Sequence, residues 1–181
     1  MTTDDLTAYA DPFVVVDYDT NWAVQFSNER DAILSAIGQY VMEVEHVGST
    51  SIPGLAAKPI IDMQVVVKDF SNLTPCVKAM TQLGYTYKGL FGIPGREYFK
   101  RPGYHVHMVQ MGNDEYTRKT LFLGYLREHK DACQEYAELK KQLAEKWAGH
   151  PEAHLKYGID KTEFIMGILA RAGYMESINK V

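Results

Sequence analysis

Apolar positions in the first hundred residues come in short runs, and their spacing switches between that of helices and that of strands. FVVVDYDTNW (13–22) is a short apolar run followed by an Asp/Asn-rich turn, where Asp19, Thr20 or Asn21 can cap a helix. Trp22, Phe26, Ile33 and Ile37 then fall on one helical face, and Gly38 ends it. VMEVEHV (41–47) alternates and predicts a strand, while KPIIDMQVVV (58–67) is apolar on both sides and predicts an interior strand over 60–67. SNLTPCVKAMTQLGY (71–85) predicts a short helix with Ser71 or Asn72 as cap, Pro75 in its first turn and Gly84 as its stop. REYFKRPGYHVHMVQM (96–111) reads as two strands around a Pro-Gly turn, the second over 104–111 in the same sheet.

From Asn113 onward the period is helical. Ala132, Tyr136, Leu139, Leu143 and Trp147 repeat within a helix predicted over 131–148, with Lys and Glu between them. IDKTEFIMGILARAG (159–173) predicts another amphipathic helix, capped by Asp160. The expected architecture is therefore one domain over 1–181. An α/β sheet part covers about 12–112 and a helical part 113–175, so the fold class is α/β (α+β), a mixed sheet with flanking helices.

Composition changes this picture little. The 181 residues suit one domain, and a net charge of −4 argues against broad nucleic-acid binding while leaving room for a local basic pocket. Cys76 and Cys133 match no metal or redox spacing and read as small apolar residues of helices. The acidic start MTTDDLTAYADP has no apolar segment of the signal-peptide kind, and no apolar run approaches the ~20 residues of a membrane span. The expected location is cytoplasmic.

The chemistry concentrates in HVGSTSIPGLAAKPIIDMQ (46–64), where Asp62 interrupts the interior strand. A carboxylate is costly to bury there unless its charge is used. A strand ending at a cleft can present acids at i and i+2 on one side to bind divalent metal for phosphoryl chemistry. Upstream, Gly48, Ser49 and Thr50 offer backbone N–H groups and hydroxyls to a phosphate. Gly48-Ser49 is followed by twelve residues and then Asp62-Met63-Gln64, so the place of a second acid holds a neutral Gln64. This is not a Walker A loop, because Lys58 is followed by Pro59 rather than Ser or Thr.

VVDYDTNW, HVGSTSIPGLAAKPIIDMQVVV, LGY, REYFKR, YHVHMVQ, YLREH, YAELKKQLAEK and YGIDKTEFI occur in this order, and together they resemble the GrpB family of bacterial proteins from about Val15 to Ala172. The resemblance implies a nucleotidyltransferase-like fold. GrpB-like domains also occur fused to dephospho-coenzyme A kinases, an association with nucleotide or coenzyme metabolism. Lys58, Arg96, Arg118, Lys140 and Lys161 are the cations that coincide with the family pattern. Converging on one cleft, they would form an anion pocket; singly, each is a solvated charge.

His105 and His107 alternate on one strand and so face one side. The resemblance sets that strand beside Asp62, which gives two readings. Asp62, His105 and His107, with His46 as a further candidate, would hold a divalent metal, Zn²⁺ or Mg²⁺. The favoured alternative is a neutral, hydrogen-bonded histidine pair lining a polar cleft. Asp62 itself is either the catalytic ligand or an acid paired with Lys58 or Arg96. Tyr98 and Tyr125 are candidate cleft residues among tyrosines that are mostly core.

The expected partner is a nucleotide or other small phosphorylated metabolite, with no membrane. Metal-assisted nucleotidyl or phosphoryl transfer stands beside two alternatives: a non-catalytic ligand-binding module that lost its acid pair, and a protein-interaction domain. Gln64 argues for lost or altered transfer chemistry, and as a neutral hydrogen-bonding side chain it is expected to line the ligand cleft with Arg96.

Overall fold

A computed structural model describes residues 13–175, so the reading of the first twelve residues lies outside the described part. Helix α1 (Asn21–Ile37) leads into strand β1 (Val41–Val47), and after a one-turn 3-10 helix at Ser49–Ser51 comes β2 (Ile61–Val67). Helix α2 (Leu73–Gln82) and the two-residue β3 (Thr86–Tyr87) precede the hairpin of β4 (Arg96–Arg101) and β5 (Tyr104–Gln110). Helices α3 (Asp114–Glu128), α4 (Lys130–Lys146), α5 (Ala153–Asp160) and α6 (Thr162–Arg171) follow among the described residues. The mixed sheet with flanking helices and a helical C-terminal part is thus the fold that forms.

The sheet runs β1-β2-β5-β4-β3, with β2 antiparallel to β1 and parallel to β5. Strand β2 is therefore interior, and six of its seven residues are buried, with Asp62 the exception. Register fixes which residues share a face. His46, Met63, Val106 and Phe99 form one row across four strands, while Val47, Asp62, His105 and Lys100 form the next row on the opposite face.

The first of these faces packs Met63, Val65, Val106, Met108 and Phe99 against Trp22, Ile33 and Ile37 of α1 and Cys76 and Met80 of α2. Burial of large apolar side chains there stabilises each by about 1.5–3 kcal/mol. The opposite face meets a second core, in which Val47, Ile52 and Leu55 pack on Leu123, Leu126, Ala132, Tyr136 and Ile168. The helical part is held over the polar face of the sheet by this apolar contact at one edge, and a cleft is left beside it.

Several caps differ from expectation. Asp160 closes α5 instead of capping α6, and its carboxylate accepts from Lys146 Nζ at 2.8 Å and Trp147 Nε1 at 3.0 Å. That pairing ties α5 to the end of α4, which stops at Lys146, two residues short of the predicted limit. Neither Thr20 nor Asn72, at the N-cap positions of α1 and α2, makes a side-chain cap bond. The aspartates upstream fill the turns, with Asp19 Oδ1 accepting from Asn21 N and Asp69 Oδ1 from Ser71 N. Asn113 caps α3 by accepting from Tyr116 N at 2.8 Å. Both cysteines are free thiols, and no helix among the described residues is long and apolar enough to cross a membrane.

Candidate functional site

Asp62 lies near the start of β2, where the strand enters the cleft, and Gly48 is the residue that permits its position. Gly48 has φ of 71°, and a Cβ built on it would lie 2.5 Å from Asp62 Oδ2. Only glycine fits there on both counts: its backbone conformation and the closeness of the carboxylate. The turn that follows is held by Ser51 Oγ donating to Gly48 O at 2.7 Å.

The alternation on β5 sets both histidines against the same oxygen of Asp62. His105 Nδ1 is 3.3 Å and His107 Nε2 3.5 Å from Oδ1. Arg96 Nη1 lies 3.3 Å from His107 Nδ1, and a guanidinium can only donate. Nδ1 therefore accepts, and the proton of the neutral ring sits on Nε2, aimed at Asp62. Burial, then the Lys119 charge, pushes the His107 pKa down to about 3, so the ring is neutral at pH 7. Burial alone would raise the pKa of Asp62, but hydrogen bonds from His105 and His107 outweigh it and hold the carboxyl below the usual carboxylate range. Asp62 is an ionised acceptor. The partners that keep it so are the two histidines rather than the lysine or arginine expected as its ion pair.

Two cavities meet at this carboxylate, and Ser49, Asp62 and Lys161 line both. The outer lobe, of about 370 Å³, has an apolar wall of Ile52, Ile93, Phe122, Leu123, Ile165 and Leu169. Arg118, Lys119 and Glu115 also reach it, and Lys119 Nζ is 3.1 Å from Glu115 Oε1. The inner lobe, of about 200 Å³, gathers Lys58, Lys140 and Lys161 with Thr50, His105 and Tyr157. Lys140 is only 2% exposed; its Nζ donates to Ala56 O and sits 4.7 Å from the Tyr136 ring centroid. Burial, with Lys161 next in weight, pushes the Lys140 pKa down to about 7. Burial and then Lys58 push Lys161 down to about 8, against the opposing pull of Asp62.

Other expected residues have structural work instead. Thr50 Oγ1 donates to Ile60 O at 3.1 Å and so accepts from His46 Nε2 at 3.0 Å, which occupies its hydroxyl. His46 stacks on Phe26 of α1 at 4.7 Å and shares the row of Met63, so it faces away from Asp62 and leaves the metal-ligand set. Gln64 is fully buried outside both lobes, its Nε2 donating to Glu45 Oε2 at 2.9 Å. Arg96 stands behind the cleft; its Nη2 donates to Leu90 O and Phe91 O, holding the 88–95 loop that carries Ile93 into the outer lobe. Tyr98 backs both histidine rings, and Tyr125 stacks on His129 at 3.8 Å, away from the lobes.

The donors do not fit a resident divalent metal. Among the described residues no group of three or more His, Cys, Asp or Glu side chains is arranged to hold one, and His105 and His107 are turned on the same Asp62 oxygen instead of on a shared open point. The second nitrogen of His107 faces Arg96, and a cation at the first would also meet Lys119, whose charge already depresses that ring. Lys119 and Glu115, four apart on α3, and Glu45 on β1 were not singled out from the sequence. Their one signal, a charge within an otherwise half-apolar face, is shared by many surface residues.

Residues 12–171 match the family model described as GrpB protein. UPF0157 protein YqkA of Bacillus subtilis is 41% identical over 155 residues, which is 83% of this chain and 44% of that protein. The chain thus spans less than half the length of that relative. UPF0157 protein SCO7215 of Streptomyces coelicolor is 36% identical over 160 residues, 87% of this chain and 82% of that protein. The crystal structure of conserved protein GrpB from Enterococcus faecalis superposes with a TM-score of 0.81 at 38% identity, covering 88% of this chain and 96% of that one.

Proposed function

We propose that this chain, which belongs to the GrpB family, binds a small phosphate-bearing metabolite of the nucleotide class in the two-lobed cleft. One observation carries the reading. In a protein of net charge −4, three lysines from separate segments surround one small cavity beside Ser49. Holding ammonium groups together away from water is unfavourable, and the depressed pKa values of Lys140 and Lys161 are the sign of that cost. A bound anion removes it. The apolar outer wall suits a base or another flat organic body. Such metabolites belong to the cytoplasm, where we place the protein.

Transfer chemistry is the second reading, favoured by an ionised Asp62 beside Ser49 at the junction of the lobes. Labelled ATP, assayed for turnover in wild type and Asp62→Asn, decides it: turnover that disappears in the variant supports catalysis.

Binding is tested by thermal shift and calorimetry with inorganic phosphate, AMP and ATP. A ligand of the native state raises its melting temperature, by an amount that grows with concentration over Kd. At least one of the three raises the wild-type Tm, and Lys161→Met removes the effect. If none shifts Tm or evolves heat, the reading is wrong.

A further inference from the structure

Building on the cleft as a phosphate site, we infer that its ligand is a phosphomonoester rather than a triphosphate. One terminal phosphate enters the inner lobe, a hydroxyl-bearing segment crosses beside Asp62, and an apolar or aromatic body fills the outer lobe.

Charge is the first argument. With an anion bound, which favours the ammonium form of Lys140 and Lys161, the inner lobe sets Lys58, Lys140 and Lys161 against the single carboxylate of Asp62, a balance of two positive charges. A phosphomonoester carries about −1.5 to −2 near neutral pH and matches that balance. Beyond the junction the surplus falls to one. Arg118, Lys119 and the shared Lys161 there face Glu115 and the shared Asp62, three against two, and Lys119 is already paired with Glu115 at 3.1 Å. A second or third phosphate would have to lie along this stretch, where one surplus positive charge stands against the added negative charge.

The junction gives the second argument. Asp62 is 29% exposed at its side chain and is shared by both lobes, so any ligand reaching from one to the other passes it. Its Oδ1 faces the two histidines, and Oδ2 is turned toward the Gly48 backbone. An ionised carboxylate accepts hydrogen bonds and donates none. It favours a hydroxyl or amine at that point and repels a phosphate oxygen. Past it, the apolar wall rewards burial of a carbon-rich body and offers little to a charged chain.

The experiment is a calorimetric ranking of AMP, ATP, ribose 5-phosphate, inorganic phosphate and adenosine against the full chain at low ionic strength. We expect AMP to bind at least tenfold more tightly than ATP, with ribose 5-phosphate between AMP and inorganic phosphate. Asp62→Asn narrows the AMP-to-ATP ratio, because it removes the repulsion at the junction; Lys161→Met abolishes the binding of both. ATP binding as tightly as AMP, or more tightly, overturns the inference and leaves the phosphate reading standing. Adenosine matching AMP, or none of the five binding, overturns both.

Discussion

On one side of β2, Met63 and Val65 disappear into a core closed by α1 and α2; on the other, Asp62 and Gln64 point toward the helical part. Both sides are largely hidden from water, yet they are built differently. The apolar side needs only volume and periodicity, and its residues could be exchanged for others of similar size. On the polar side, Glu45 answers Gln64 from β1, the histidines answer Asp62 from β5, and Arg96 on β4 answers His107. A strand in the middle of a sheet can thus carry buried polar groups when adjacent strands supply their partners. The residue facing a neighbour decides whether a polar position is a ligand or a structural pair. Gln64 and Asp62 are two apart on one face, but only Asp62 opens on the cleft.

The largest expected effect comes from making these two positions alike. Gln64→Glu would place a second carboxylate against Glu45, at a site with no exposure and with Gln64 Oε1 already unpartnered. Breaking a buried pairing in this way costs about 3–5 kcal/mol. The introduced carboxyl has its folded pKa raised, so the penalty is present at neutral pH and shrinks as acid protonates it. Urea unfolding at pH 7.5 and pH 5 should show the wild-type-minus-variant difference falling on acidification. An unchanged difference would mean that Glu45 and Gln64 are not in contact.

Acid should act on both faces of the wild-type sheet. His46, on the α1 side, is pushed from 6.5 to about 4 by burial, and His107, on the cleft side, to about 3 for the same leading reason. Both folded pKa values are depressed, so the unfolded chain binds more protons. Stability is fully present above about pH 6.5 and is lost as pH falls toward 4 and then 3. Each histidine contributes a slope of about 1.4 kcal/mol per pH unit within that window. Unfolding free energies at pH 6, 5.5 and 5, below the range in which Lys140 titrates, should fall in step, and His46→Gln and His107→Gln should each remove about half of the slope. A flat profile would show that neither ring is held neutral.

The apolar side was the more legible in the sequence. The apolar run through 60–67, broken only by Asp62 and Gln64, and the alternation at 104–110 pointed to the interior strand and its partner, because burial leaves a periodic trace that needs no knowledge of the third dimension. The polar side was legible only where the trace was local. His105 and His107 share a strand, so their common face followed from alternation. His46 defeated the same reasoning, since its face depends on the register of β1 against β2. Lys119 and Glu45 left only a charge in a half-apolar face, because what makes one a cleft residue and the other a pair residue is its placement beside segments far away in sequence. Asp160 was misplaced for a related reason: Lys146 and Trp147, at the end of another helix, claim its carboxylate.

Glycines sharpen the contrast at smaller scale. Gly48 and Gly54 both have positive φ, 71° and 82°, but a Cβ on Gly54 meets nothing within 4 Å, while one on Gly48 meets Asp62. Gly54→Ala therefore costs only the left-handed backbone strain, about 1–2 kcal/mol. Gly48→Ala should cost more and should also displace the carboxylate, weakening phosphate binding that Gly54→Ala leaves intact. Equal Tm losses in the two variants, measured by calorimetry, would remove the close approach from the account of the site.

The smallest expected change in stability falls on the lysine cage. Lys161 is drawn out of water beside Lys58 and gains some compensation from Asp62, so its charge adds little to the folded state. Lys161→Met keeps the length and apolar stem of the side chain and removes the ammonium, and the thermal midpoint should stay within a few degrees of wild type or rise. Phosphate binding should nevertheless be lost. Residues that exist for packing lose stability when changed, whereas residues held for a ligand lose binding and leave stability alone or improve it. Met63→Ala is the control from the opposite face, with an expected loss of about 2–5 kcal/mol by urea unfolding. If Lys161→Met destabilised the protein as much as Met63→Ala does, the lysine would belong to the scaffold and the cleft would lose its claim to be a binding site.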